Sequence, residues 1–317
     1  MPPPTAYPVP LRVHDLVRTD HGDRAVRRAA SQGTFTRVGV GAYLDSARWR
    51  SLDRREQYLL RVHTQLHRLR PSIVASHWSA AAVWGMPAAD GWPNRVEVID
   101  VRRTTSNRSG ALLRRPGPLP DSDTASWREI RVTTPARTAV DLALTQPFAI
   151  AVMAFDHGLR TAAFTKDELR AQLERRPRAR RATSADRALA FSTPSAQWPG
   201  ESFSRVAMAA RGLVSPILQH GFFDSNGTIG VVDFWWPDSG VVGEFDGVWK
   251  YTDPRFTNGQ TPVEVLRTEK RRQNRLELHP EVHRVVRWDY AIARDPDRLA
   301  ELLLAAGVRR ARSRVPS

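Results

Sequence analysis

The stretch Val231 to Tyr251, VVDFWWPDSGVVGEFDGVWKY, constrains the fold more than any other part of the chain. Two apolar runs are joined by Pro237, Asp238, Ser239 and Gly240, which is hairpin chemistry with Pro and Gly flanking a polar tip. If Pro237 faces Gly240, then Trp236 faces Val241 and Asp233 faces Glu244. Strand alternation places Asp233, Glu244 and Asp246 on one face and Phe234 and Phe245 on the other. Facing residues have Cβ atoms roughly 5 Å apart and like charges there repel, so this cluster implies something cationic between the carboxylates. A hard divalent cation such as Mg²⁺ or Mn²⁺, held by oxygen ligands, fits that requirement. The alternative is a solvated acidic face of an ordinary hairpin.

Charge gives the cluster its context. The chain carries 48 Lys plus Arg against 33 Asp plus Glu, a formal net charge of +15. Between Gly200 and Gln260, however, seven acidic residues stand against four basic ones. A basic chain with a local acidic island points to a polyanion binder enclosing a metal site, with double-stranded DNA as the expected partner. No apolar run approaches the roughly 18 residues of a membrane span, and MPPPTAYPVP lacks the pattern of a secretory signal, so a cytoplasmic protein without membrane attachment is expected. With no cysteine, disulfides and thiolate metal sites are excluded.

The 317 residues suit two domains. Residues 1–10 are Pro-rich and expected to be disordered. Residues 11–50 read as two helices, the second (Arg24 to Gln32) stopped by Gly33, followed by a hairpin around Gly39 and Gly41. That outline is a winged helix-turn-helix, with Arg24, Arg27, Arg28 and Arg37 as nucleic-acid contacts; a small helical cap with a solvated Arg face is the alternative. Residues 51–174 read as an α/β region: a helix from Ser51 to Leu69, another capped at Ser76 and ending at Gly85, strands at Val96 to Val101 and Ile130 to Val132, and further helices from Pro135, Phe148 and Thr165. Ser76, His77 and Ser79 invite a nucleophilic triad, but no acid lies at helical spacing, which favours a capping role. The block RRPRARRA opens a basic linker over 175–197, either solvated or a nucleic-acid patch, with a short helix expected from Ser184 to Phe191 that belongs to one side or the other. The second domain, 198–307, runs helix, strand, hairpin, basic helix, strand and helix, with a basic tail at 308–317. On its basic helix Val265, Leu266, Glu269, Gln273 and Leu276 share a face, which aims Glu269 at the packed side.

The order of elements in the second domain, with GESFSR, VVDFWWP, GEFDGVWKY and TEKRRQNRL, resembles the PD-(D/E)xK endonuclease fold in the variant related to very-short-patch-repair endonucleases. The resemblance covers Trp198 to Gly307. It implies an α/β restriction-endonuclease-like domain, a mixed sheet flanked by helices, with Mg²⁺- or Mn²⁺-dependent cleavage of phosphodiesters. Glu201 would be the helix acid, Asp233 the principal metal ligand, Glu244 the acid of the (D/E)xK element and Gln219 a strand glutamine. Asp246 occupies the position of the expected lysine; Lys250 or Lys270 would take over the cation role, while Arg267, Arg271, Arg272 and Arg275 would hold the nucleic-acid backbone. Because Asp246 replaces the lysine, a degenerate binding domain is the alternative.

VRRAASQGTFTRVGVGAYLD followed by VASHWSAAAVWGMP is similar to the amino-terminal winged-helix region of AbiEi-type antitoxins, transcriptional regulators of type IV toxin-antitoxin systems. That similarity covers Leu11 to Leu144. It implies an α+β amino-terminal region, DNA binding and a cognate toxin, and it does not imply catalysis.

Overall fold

The computed structural model describes residues 28–311 apart from 40, 68, 71, 178 and 248–261, with the backbone alone for 262–266. It divides into two compact units, Met1–Phe191 and Ser192–Ser317. Both mix helices with sheets, compatible with an α+β chain. The two amino-terminal stretches read as disorder and as a first helix, together with Arg24 and Arg27, lie outside the described residues. So do Lys250 and all but the start of the basic tail.

The first unit begins with a helical turn at 28–31 that closes on Gly33, whose φ of +82° suits glycine, with Thr34 N–H donating to Ala29 O at 3.0 Å. Strands β1 (Phe35–Gly39) and β2 (Ala42–Asp45) form the expected antiparallel hairpin. Val38, Ala42, Leu44 and Leu60 make its core. Helix α1 (Ser46–Ser51) is capped by Asp45, and α2 (Arg54–Leu66) opens with a capping box between Asp53 and Glu56, not at Ser51.

A six-stranded mixed sheet follows in the order β5-β6-β4-β3-β8-β7, built from β3 (Ile73–Ala75), β4 (Val96–Asp100), β5 (Asn107–Ser109), β6 (Leu112–Arg115), β7 (Thr124–Trp127) and β8 (Ile130–Thr133). Helix α3 (His77–Trp84) is buried along almost its whole length because its Ser and Ala side chains admit close neighbours. Gly85, at φ +76°, ends it, and the Arg55 guanidinium donates to the terminal carbonyls of Ala82 and Val83. Helices α4 (Pro135–Thr145), α5 (Phe148–Arg160), α6 (Lys166–Glu174) and α7 (Ala182–Phe191) complete the unit. The expected capping box at Thr165 and Glu168 is present at α6.

The basic block after α6 differs from a solvated linker. Arg175 and Arg176 donate to Asp123, which is 1% exposed and also accepts from Arg137 and Gln172. Residues 182–191 are helix α7, packed against α4, α5 and α6. A buried carboxylate drew this part of the block into the fold, and sequence spacing could not reveal that partner.

In the second unit the sheet order is β12-β11-β10-β9, from β9 (Ile217–Asp224), β10 (Gly227–Trp236), β11 (Val241–Phe245) and β12 (Arg284–Trp288). The β10–β11 register pairs Trp236 with Val241 and Phe234 with Gly243, as the hairpin argument requires. Residues 237–239 form one 3₁₀ turn, and Gly240 at φ +61° closes it. Helix α9 (Pro262–Glu277) connects β11 to β12, which pair in parallel. One sheet face meets α9 through Phe222, Ile229, Trp235, Val242 and Leu276. The other carries Phe234 stacked on Trp288, with helix α8 (Pro199–Ala210) over it: Trp288 Nε1 donates to Ser204 Oγ at 2.7 Å. Gly200 is required there, since a Cβ would lie 2.0 Å from the Phe245 ring. The short α10 (Tyr290–Ala293) and α11 (Pro296–Ala305) finish the unit.

Candidate functional site

The first turn of α8 delivers Glu201 into the second unit, where it is 1% exposed. Its Oε2 accepts from Gln197 N–H at 2.9 Å and from Gln219 Nε2 at 3.0 Å. The same Gln219 nitrogen lies 3.4 Å from Asp233 Oδ1, and Gln219 Oε1 accepts from Gln197 Nε2 at 2.8 Å. Gln219 therefore bridges the helix acid and the strand acid. It does so from a left-handed backbone, φ +52° inside β9, a conformation that costs a non-glycine residue roughly 1–2 kcal/mol.

Asp233 sits where the β10–β11 ladder ends. The last paired residues are Phe234 and Gly243, and two residues beyond Gly243 the Phe245 N–H donates at 2.8 Å to Asp233 Oδ2. The carboxylate thus takes the donor that a continuing ladder would have used.

Glu244, on β11, is 5% exposed and faces a different set of partners. Arg272 Nη2 donates to Oε1 at 2.8 Å, and Arg287 donates to Oε2 from Nε at 2.9 Å, with its Nη2 at 2.7 Å. Arg287 lies directly beside Glu244 in the parallel β11–β12 register. Arg272 is held in turn by Glu269, at 2.8 and 2.6 Å, and Glu269 also accepts from Arg287 at 3.3 Å. Glu269 does face the packed side of α9, together with Gln273, which accepts from Arg287, and the buried Leu276. The ion pairs with Glu269 and Glu244 outweigh burial and push the Arg272 guanidinium above its ordinary range. Arg287 is raised too: burial opposes the shift, and the Glu244 charge overcomes it.

The expected cluster of Asp233, Glu244 and Asp246 around one cation is arranged differently. Asp233 is joined to Glu201 through Gln219, while both oxygens of Glu244 accept from guanidinium groups. Among the described residues no three His, Asp or Glu side chains converge as metal ligands. At Glu244 itself, two guanidinium groups already balance the charge that a divalent ion would otherwise answer. Asp246, half-buried, has its backbone N–H on Trp288 O at 2.8 Å, and its carboxylate acts on Arg287. Of the two lysines considered as substitutes, Lys270 is exposed and Lys250 lies outside the described residues.

The basic residues of α9 split into two groups. Arg272 faces Glu244, and Arg275 forms a two-pronged pair with Asp224, at 2.8 and 2.6 Å. Arg267, Lys270 and Arg271 are exposed. Arg28, on the helical turn before the first hairpin, and Arg37, on β1, are exposed. Arg287 was missed in the sequence because its role depends on register with Glu244, 43 residues before it; its place beside an acid in a parallel pair was the signal.

The first unit holds a second polar cluster. Ser76 precedes α3 but makes no side-chain cap; its Oγ contacts His77 Nδ1 at 2.9 Å. The acid missing at helical spacing stands on β4: Glu97 accepts from Trp78 N–H at 3.1 Å and from Arg115 at 3.1 Å. Ser79 Oγ accepts from Glu97 N–H and touches Tyr58 OH. Burial pushes the His77 imidazole below its ordinary range, and all of Ser76, His77, Ser79 and Glu97 are closed off from solvent. Glu97, rather than Ser76, satisfies the helix start, and the cluster is a packed polar core.

No helix of the described residues is long and apolar enough to cross a membrane. The chain is 30% identical over 170 residues to two uncharacterized proteins of Mycobacterium tuberculosis, one from strain CDC 1551 / Oshkosh and one from strain H37Rv. The match covers 53% of this chain and 58% of each relative, so the chain spans less than two thirds of the proteins it resembles. Similarity to AbiEi antitoxins is present, and it overlaps the expected range of Leu11 to Leu144 over residues 74–144. Residues 74–189, from β3 into α7, match the family described as the AbiEi antitoxin C-terminal domain.

Proposed function

We propose that this protein is a nucleic-acid-binding regulator of the toxin-antitoxin type. In this reading the module over residues 74–189 counters a cognate toxin, and basic surfaces on the chain bind double-stranded DNA. The observation that carries it is the match of residues 74–189 to the AbiEi antitoxin C-terminal domain. Charge supports the DNA part: the chain has a net charge of +15, and Arg28, Arg37, Arg267, Lys270 and Arg271 are exposed. Contacts of this kind go to the phosphate backbone and position without reading sequence; a hairpin beside a helix, as at 28–45, would supply base contacts as a winged helix does.

The test is a mobility shift of the full chain on duplex DNA taken from upstream of its own gene, across a salt series. Affinity should fall with salt, by a slope of about −0.9 per phosphate neutralised. Arg267→Ala with Arg271→Ala should flatten that slope by about 2 such contacts. Binding that ignores salt, or no binding at all, would reject the DNA part. Growth arrest by a co-purifying partner, relieved by co-expression of the chain, is the matching test for the antitoxin part.

A second reading, a Mg- or Mn-dependent endodeoxyribonuclease, has one observation in its favour. Glu201, Gln219 and Asp233 form a connected chain at the place where two strands part. In that reading Asp233, Glu244, Asp246 and Glu201 would be ligands, with Lys250 or Lys270 as the cation beside the attacking water. It requires Arg272 and Arg287 to leave Glu244.

A further inference from the structure

In the second unit the buried glutamate of β11, Glu244, is already neutralised. Arg287 reaches Glu244 because β11 and β12 run in parallel with the two residues in register. Arg272 reaches it from α9, and Glu269, one helical turn before it, fixes its guanidinium through two hydrogen bonds. Backbone pairing in one case and a helix turn in the other set both contacts, so neither depends on a chance surface rotamer. Glu244 is 5% exposed, and in such surroundings charge-assisted bonds to both of its oxygens are strong. The two arginines and two glutamates sum to zero charge. A dication approaching Glu244 would meet two guanidinium groups within hydrogen-bond distance of the oxygens it needs, and Mg²⁺ in particular demands near-octahedral oxygen geometry. Asp233 accepts from Phe245 N–H through Oδ2, and Glu201 accepts from Gln197 N–H and Gln219 through Oε2.

We propose that Arg272 and Arg287 replace a divalent cation as the charge partner of Glu244, so that the second unit engages a phosphodiester backbone without metal and without cleaving it. The pair anchors α9 to the sheet by its inner side. The exposed Arg267, Lys270 and Arg271 of the same helix then form the phosphate-binding surface. This last step rests on the nucleic-acid reading above; the substitution of arginine for metal does not.

The experiment is Mn²⁺ titration of the full chain, followed by the electron paramagnetic resonance of free Mn²⁺, alongside mobility shifts on duplex DNA in EDTA and in Mg²⁺. The expected results are no stoichiometric Mn²⁺ site below millimolar concentration and DNA affinities that agree within about 2-fold between the two buffers. The variant Arg272→Gln with Arg287→Gln, provided it folds, should acquire Mn²⁺ binding that Glu244→Gln then removes. The wild-type titration decides the matter should that variant not fold. One Mn²⁺ per chain in the wild type would overturn the proposal: at Glu244 itself if it is lost in Glu244→Gln, and in its metal-free part if it survives that change. DNA that fails to shift under any condition rejects the nucleic-acid reading alone, since the Mn²⁺ result stands apart from it. Affinity that rises more than 10-fold with Mg²⁺ would also overturn the metal-free binding.

Discussion

Asp123→Ala is the substitution whose cost can be worked most directly from the structure. The carboxylate is 1% exposed, and each oxygen accepts twice: Oδ1 from Gln172 at 2.7 Å and Arg175 at 3.1 Å, Oδ2 from Arg137 at 3.0 Å and Arg176 at 3.2 Å. Summing four bonds would overstate the loss, because Arg175 and Arg176 reach solvent and can be rehydrated. Arg137 cannot: it is 3% exposed, and would keep only Asp141 at 2.8 Å and Pro118 O at 3.3 Å. Removing one partner of a buried pair costs about 3–5 kcal/mol, and the surviving Asp141 contact puts this case near 3 kcal/mol. For a unit of this size each kcal/mol moves the melting temperature by about 2–4 °C, so a drop of about 6–12 °C is expected. Calorimetry of the full chain measures it, with hydrogen exchange assigning the shifted transition to the first unit. Arg137→Met added to Asp123→Ala should recover part of the loss, since the stranded guanidinium is then gone. A drop under about 2 °C, or a double variant no better than the single, would refute the reasoning.

Three further outcomes are expected. Gly200→Ala should destabilise the second unit by about 1–3 kcal/mol, because its Cβ would lie 2.0 Å from the Phe245 ring; urea unfolding that shows a gain, as helix propensity alone would give, contradicts this. Burial lowers the His157 imidazole to about 4, so the unfolded chain binds the proton more readily between about pH 6.5 and 4. Stability from this group is complete above about pH 6.5 and is lost as pH falls toward 4, by on the order of 3 kcal/mol at most, and His157→Gln should flatten that part of the stability-pH curve. At Gln219, φ +52° strains any side chain, so Gln219→Gly should be more stable than Gln219→Ala by about 1 kcal/mol although both lose the bridge to Glu201 and Asp233; equal denaturation midpoints would show that the backbone is not strained there.

The hairpin register was legible because Pro237 and Gly240 fix the turn and alternation follows from it, which put Asp233 and Glu244 on neighbouring strands. The helix stops at Gly33, Gly85 and Gly307 were legible for a similar local reason: each has positive φ. What sequence could not show was which charge answers which. Glu97 meets the start of α3, Asp123 gathers four donors from α4, α6 and the turn after it, and Arg287 meets Glu244, and each pairing joins residues far apart in the chain. The short strands β3, β5, β6 and β7 were missed because three or four residues carry no period to detect. Similarity to AbiEi antitoxins was legible around SHWSAAAVWG, but its extent was not, since helices α5 to α7 show only generic amphipathic spacing.

The most direct test of the whole account is to incubate the native chain with supercoiled plasmid in EDTA, in Mg²⁺ and in Mn²⁺, reading retardation and nicking on one gel beside Asp233→Ala and Glu244→Ala. A DNA-binding regulator with an arginine-compensated site predicts salt-sensitive retardation in all three conditions and intact supercoiled plasmid throughout. Nicking that requires metal and disappears in both variants would contradict it and establish a nuclease at Asp233 and Glu244.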